Sequence, residues 1–325
     1  MNLLVIGTGA IGSFYGALLA KTGHRVSVLA RSDYETVKAK GIHIRSATLG
    51  DYTFRPAAVV RSAAELETKP DCALLCIKVV EGADRVGLLR EAIGPGTSIV
   101  LISNGIDVER EIAAAFPDNE VISGLAFIGV TRTAPGEIQH QAYGRLMLGN
   151  YPGGISDRVK TLAAAFEEAG IDGIATENIT TARWQKCVWN AAFNPLSVLS
   201  GGLDTLDILS TQEDFVRAIM QEIRAVAAAN GHPLPEDIVE KNIASTYKMP
   251  PYKTSMLVDF EAGRPMETEA ILGNAVRAGR CVGVAIPHLE SVYALMQLRE
   301  LGSVKNRQET ARPLPPAAWS GGRKS

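Results

Sequence analysis

Short, almost unbroken apolar runs recur through the first half of the chain, at positions 3–6, 26–30, 72–77, 98–102 and 121–127. Strands of a parallel sheet read this way because helices cover both of its faces. Helix-like stretches fall between the runs, the first over 11–21 with Gly23 as its stop. The alternation predicts an α/β domain built on a doubly wound parallel sheet with right-handed crossovers. Around 136–149, apolar and polar residues alternate between the turn glycines Gly136, Gly144 and Gly149. That pattern predicts an antiparallel hairpin added to the sheet.

From about residue 178 the apolar spacing becomes helical and strand signals nearly vanish. Helices are predicted over 181–200, 211–230, 235–247, 254–260, 266–282 and 288–301. Gly201-Gly202, Gly231-His232-Pro233, Pro250-Pro251 and Gly263-Arg264-Pro265 separate them. The organisation expected is therefore a dinucleotide-binding domain over 1–175 and a smaller all-helical domain over 176–302. A polar, proline-containing tail over 303–325 is expected to be disordered.

A length of 325 residues suits two domains. Lys and Arg number 33 against 35 Asp and Glu, a net charge of −2, so nothing recruits nucleic acid or an anionic membrane. No apolar stretch has the length of a membrane span, and the N-terminus lacks a secretory pattern. None of the four cysteines forms a C-x-x-C pair, so reduced thiols and a cytoplasmic location are expected. The five histidines are dispersed, so no metal site is expected, and no G-x-S-x-G hydrolase elbow occurs. A monomer and a homodimer stay equally open, because a partner-facing helix and a core-facing helix share one pattern.

Gly7-Thr8-Gly9-Ala10-Ile11-Gly12 fits G-x-G-x-x-G directly after a strand and at the start of a helix. The first glycine permits the tight turn, the second lets the backbone approach a pyrophosphate, and the third lets helix and strand pack closely. This context identifies a Rossmann-type dinucleotide fold. The second strand ends at Arg31 rather than at an acidic residue. A guanidinium suits a 2′-phosphate, which favours NADP(H); the alternative is a solvated Arg31 with Asp33 on the ribose. Lys78 and Asn104 close two further strands, on the edge where such sheets bind ligands. Lys78 suits a phosphate and Asn104 suits nicotinamide, ribose or substrate, although both residue types also close strands structurally.

Lys186, Asn190 and Asn194 recur at i, i+4 and i+8, which stacks them on one helix face amid Trp184, Cys187, Val188, Trp189 and Phe193. Buried polar groups need partners, so the stripe is either a ligand site or an internal network. Ser255 and Asp259 share a second face, and Glu267 and Glu269 fall where a new helix would begin, suiting its dipole.

These residues together resemble the ketopantoate reductase family. The resemblance is carried by the glycine motif, Ser103-Asn104-Gly105, Lys186-x-x-x-Asn190-x-x-x-Asn194-Pro195-Leu196, Ser255-Met256-Leu257-x-Asp259 and the Glu267 segment, over about residues 1 to 300. It implies NADPH-dependent reduction of 2-dehydropantoate to pantoate, on the route to pantothenate and coenzyme A. By family pattern, Lys186 is the proton donor and Asn190, Asn194 and Ser255 hold the 2-keto acid. Glu267 lines the cofactor side as a second catalytic residue, and Asn104 and Lys78 contact NADPH. Two family positions depart, with Asp204 and Tyr252 where other polar residues are usual. A sister reductase of another branched 2-keto acid, or a non-catalytic NADP(H) sensor, are the alternative readings.

Overall fold

A computed structural model describes residues 1–310. The elements of the first part are β1 (Asn2–Ile6), α1 (Ala10–Lys21), β2 (Arg25–Leu29), α2 (Tyr34–Lys40), β3 (Ile42–Ser46), β4 (Tyr52–Phe54), β5 (Val59–Val60) and β6 (Cys72–Leu75). They continue with α3 (Arg85–Ala92), β7 (Ser98–Ile102), α4 (Arg110–Ala115), β8 (Val121–Ala134), β9 (Glu137–Asn150), α5 (Asp157–Glu168) and β10 (Gly173–Ala175). Within one sheet the order β5-β2-β1-β6-β7-β8 is parallel throughout. Numbered in chain order, that is the 3-2-1-4-5-6 arrangement of dinucleotide-binding sheets.

Alternate residues of β1 explain why its sequence is continuously apolar. Leu3 and Val5 enter a core shared with Phe14 of α1 and Phe166 of α5, whereas Leu4 and Ile6 enter one shared with Leu89 of α3 and Ile112 of α4. Burial on both faces contributes about 1.5–3 kcal/mol for each large apolar side chain.

The predicted hairpin is present and longer than expected. β8 runs antiparallel to β9 with three register shifts, and β9 carries β3 and β10 on its other side. β3, β4 and β10 were invisible to pattern reading. β3 mixes polar residues with Ile42 and Ile44, and β4 and β10 have three residues each, so no continuous apolar run announces them.

The second part contains α6 (Ile179–Leu199), α7 (Thr205–Ala229), α8 (Ile238–Tyr247), α9 (Ser255–Glu261), α10 (Asn274–Cys281) and α11 (Pro287–Thr310) around its own apolar core. Three expectations are corrected. The helix read from 211 starts at Thr205 and is broken at Gln212, where φ is −135°. The stretch read as one helix over 266–282 begins as a π-helical turn over Glu269–Gly273, and the buried Ala270 carbonyl accepts the Ile106 N–H of the first part at 2.9 Å. Finally, α11 continues through Gly302 to Thr310, so 303–310 of the expected disordered tail are helical. A glycine inside a helix costs only about 1 kcal/mol, too little to end it by itself. The rest of that tail, 311–325, lies outside the described residues.

Candidate active site

The carboxyl ends of β1, β6, β7 and β8 open into a cleft of about 1540 Å³, walled on the far side by α6, α8 and α9. A pocket for one drug-sized ligand occupies roughly 300–1,000 Å³, so this cleft has room for a dinucleotide and a small acid together.

The glycine loop forms one end. Gly7 turns the chain at φ +103°, and a Cβ on Gly12 would stand 2.1 Å from the Gly7 carbonyl oxygen. Gly9 differs, because a Cβ there would meet no protein atom within 4 Å and would fill open space at the start of α1. The N-terminus of α1 has no side-chain cap, which leaves its N–H groups for an anion. A diphosphate therefore fits this cradle. Gly7, Thr8, Gly9, Ala10 and Ile11 line the cleft, whereas Gly12 packs behind the loop against Val5.

Beside the loop, Arg31 is exposed on the cleft wall. Asp33 is buried: its Oδ1 accepts a 2.7 Å bond from the Thr8 hydroxyl, and Arg132 approaches its Oδ2 at 3.4 Å. Both oxygens of the acidic alternative thus have internal partners.

At the other end, α6 presents Lys186, Asn190 and Asn194 to the cleft, as the i, i+4, i+8 spacing predicts. The Lys186 ammonium donates to Asn104 Oδ1 at 2.8 Å and to the Ala126 carbonyl at 2.5 Å, and stands 5.1 Å from the centre of the Phe127 ring. An ammonium has three N–H groups, so one is left for the cleft. Burial, helped by the like charge of Arg183 and opposed by Glu267, pushes the Lys186 pKa down to about 8. Asn190 is buried, and Asn194 is 1 % exposed with no hydrogen-bond partner for its Nδ2 among the described residues. A buried amide without an acceptor is costly, and a ligand oxygen supplies one. Ser255 begins α9 and is exposed in the cleft.

Glu267 and Lys78 link the two walls. Glu267 accepts from Asn104 Nδ2 at 3.0 Å and from the Val79 N–H at 3.3 Å, and burial raises its pKa against the pull of these bonds and of Lys78. It therefore parts company with Glu269, which binds Arg277 and the Tyr293 hydroxyl. Lys78 forms an ion pair with Asp259, which also holds Arg264 at 3.0 Å. Asn104, read as a cofactor contact, has both ends of its amide engaged by Lys186 and Glu267. Gly105 makes that turn possible: it stands at φ +107°, and a Cβ would approach the Ala270 carbonyl oxygen to 2.6 Å.

The two departures from the family pattern separate here. Asp204 caps α7, accepting from the Leu206 and Asp207 N–H groups at 2.8 and 3.0 Å, so its carboxylate serves the helix end. Tyr252 lines the cleft with its ring 6.2 Å from that of Trp189. Sequence reading missed Arg183 and Glu109, a buried ion pair between α6 and the start of α4. A charged residue one turn before Lys186 in an apolar helix was the available signal. No cluster of metal-binding side chains occurs among the described residues, and no described helix is long and apolar enough to cross a membrane.

A dinucleotide cradle facing a half-buried lysine ammonium across one cleft is the machinery of a nicotinamide-dependent oxidoreductase. The chain belongs to the ketopantoate reductase family: the model described as "Ketopantoate reductase PanE/ApbA" matches residues 3–153, and that of its C-terminal part matches residues 178–300. A relative from Nostoc, "2-dehydropantoate 2-reductase", is 34 % identical over 295 residues, covering 89 % of this chain and 92 % of its own. The crystal structure of 2-dehydropantoate 2-reductase from Methylococcus capsulatus is 88 % identical with a TM-score of 0.91, covering 97 % of this chain and 99 % of that one. That from Geobacter metallireducens is 33 % identical with a TM-score of 0.86, covering 92 % and 100 %.

Proposed function

We propose that the protein reduces 2-dehydropantoate to pantoate with NADPH, with Lys186 as proton donor. The observation that carries this reading is the pairing of Lys186, which has one N–H left over, with the partnerless amide of Asn194 on the same face of α6. When bound, the nicotinamide supplies the hydride. Asn190, Asn194 and Ser255 orient the acid, and Lys186 gives a proton to the oxygen of the former carbonyl while its charge stabilises the developing alkoxide. Glu267 is assigned to the cofactor side and, through Asn104, to the orientation of Lys186. An apolar core built by residues from 184 onward, with only Ile106 entering it from the first part, supports a division into a cofactor domain over 1–175 and a catalytic domain over 176–302.

The test is NADPH absorbance loss with purified protein and 2-dehydropantoate, run beside a panel of other 2-keto acids. Rapid turnover of 2-dehydropantoate is expected; NADPH binding without oxidation by any acid of the panel would instead support a non-catalytic sensor. The wall formed by Trp189 and Tyr252 favours a second reading, a reductase of a 2-keto acid with a bulkier apolar side chain, and preferential turnover of such an acid would select it.

Two further outcomes are expected. The proton-giving form of Lys186 is the ammonium, so kcat/KM should hold at lower pH and fall as pH rises through about 8. A kcat/KM profile flat across that region would remove Lys186 from proton transfer. We assign Arg31 to the 2′-phosphate, since Asp33 is engaged by Thr8 and Arg132. Arg31→Ala should lower the preference for NADPH over NADH about tenfold, the effect of losing one charge-assisted hydrogen bond. Unchanged selectivity would reassign that contact.

A further inference from the structure

Arg183 has no part in the reaction as described so far, yet its side chain is among the largest fully buried in the molecule, at 2 % exposure. Nη1 donates to the carbonyl oxygens of Ser103 at 2.8 Å and Gly105 at 3.2 Å, the two residues that flank Asn104. Nε donates to Ser123 Oγ at 2.9 Å, and Nη2 to the Gly124 carbonyl at 3.4 Å. Glu109 balances the charge through an ion pair and accepts the Ser123 hydroxyl at 2.6 Å. A rivet between two walls would need only the ion pair. Here the guanidinium brackets the one residue whose amide holds Lys186 and Glu267 together.

We propose that Arg183 is a positioning residue for the reduction, clamping the turn over 103–105 so that Asn104 offers its oxygen to Lys186 and its NH2 to Glu267. The inference rests on the reading of Lys186 as proton donor. The planar fork is what the task requires, because a point-like ammonium cannot reach two carbonyls, a hydroxyl and a carboxylate in fixed directions. The turn has two weak points that the clamp restrains. Gly105, at a positive φ, lacks the Cβ that would restrict its backbone, and among the described residues the hydrogen bonds of Asn104 are made by its side chain. The same placement sets the charge around Lys186: Arg183 and Glu267 face it, with Glu109 behind the first and Lys78 and Asp259 behind the second.

The test is a double-mutant cycle on the full chain with NADPH and whichever 2-keto acid turns over fastest. Arg183→Lys keeps the charge and removes the fork. It should lower kcat about tenfold or more while the Kd for NADPH stays within about twofold. Asn104→Ala should also lower kcat, and the double variant should be no slower than Asn104→Ala within about twofold, because the clamp then has nothing to aim. Effects that multiply, or an unchanged kcat in Arg183→Lys, would overturn the proposal. Should Arg183→Lys not fold, Ser123→Ala removes one anchor of the guanidinium and replaces it in the cycle, with a smaller loss and the same lack of additivity expected. A fully active Lys186→Ala would refute the proton-donor reading and leave the coupling between 183 and 104 measurable.

Discussion

Lys186→Ala is expected to lower kcat at least about a hundredfold, the lower end of what a positioned general acid contributes. The loss has two sources that act on the same atom. The ammonium gives up the proton that the reduced carbonyl oxygen needs, and until it does so its charge stabilises that oxygen. Burial makes the transfer easier, because it brings the Lys186 pKa down to about 8, close to working pH. The fold should survive the substitution. Removing the ammonium frees only Asn104 Oδ1 and the Ala126 carbonyl at the cleft surface, where water can replace it. Single-turnover kinetics with a melting curve would check both statements. Activity within a few fold of the parent protein would mean that the proton comes from elsewhere.

Gly9→Ala and Gly12→Ala should fail in different ways, although both glycines belong to one motif. A Cβ on Gly9 touches no protein atom within 4 Å, so the melting temperature should not change. That methyl group would occupy the space where a pyrophosphate approaches the backbone, and NADPH affinity should fall at least about tenfold. A Cβ on Gly12 would stand 2.1 Å from the Gly7 carbonyl oxygen and 2.9 Å from Val5, so α1 must move away from β1. Overpacking of that kind costs about 1–3 kcal/mol or more, and the displaced helix N-terminus should lose the cofactor as well. Fluorescence titration with NADPH and calorimetry on both variants would separate the two effects. Normal NADPH affinity in Gly9→Ala would place the diphosphate away from this loop.

Much of the fold could be read along the chain because its signals are local. Strand runs such as 98–102, the turn glycines, and the spacing of Lys186, Asn190 and Asn194 depend only on residues a few positions apart. Such periodicity determines which face of an element is apolar and which is polar. It also led to the dinucleotide loop, where the motif itself states which backbone must come close to a ligand. The boundaries at Thr205 and at the π-helical turn are places where a cap or a buried hydrogen bond to a distant residue outweighs a weak local propensity, and the one glycine at 302 is too weak a breaker to end the last helix.

The partners of the polar residues were a different matter. Asn104 and Lys186 are 82 positions apart, Arg183 and Ser103 are 80 apart, and Lys78 and Asp259 are 181 apart. The order of residues determined that Lys186, Asn190 and Asn194 share one face of a helix. Only the tertiary structure decided that Asn104 joins Lys186 to Glu267, that Lys78 meets Asp259, and that Arg183 grips both sides of the Asn104 turn. The physical reason is that hydrogen bonds and ion pairs act over a few ångströms, and which distant groups come within that range depends on how the helical part is seated on the sheet.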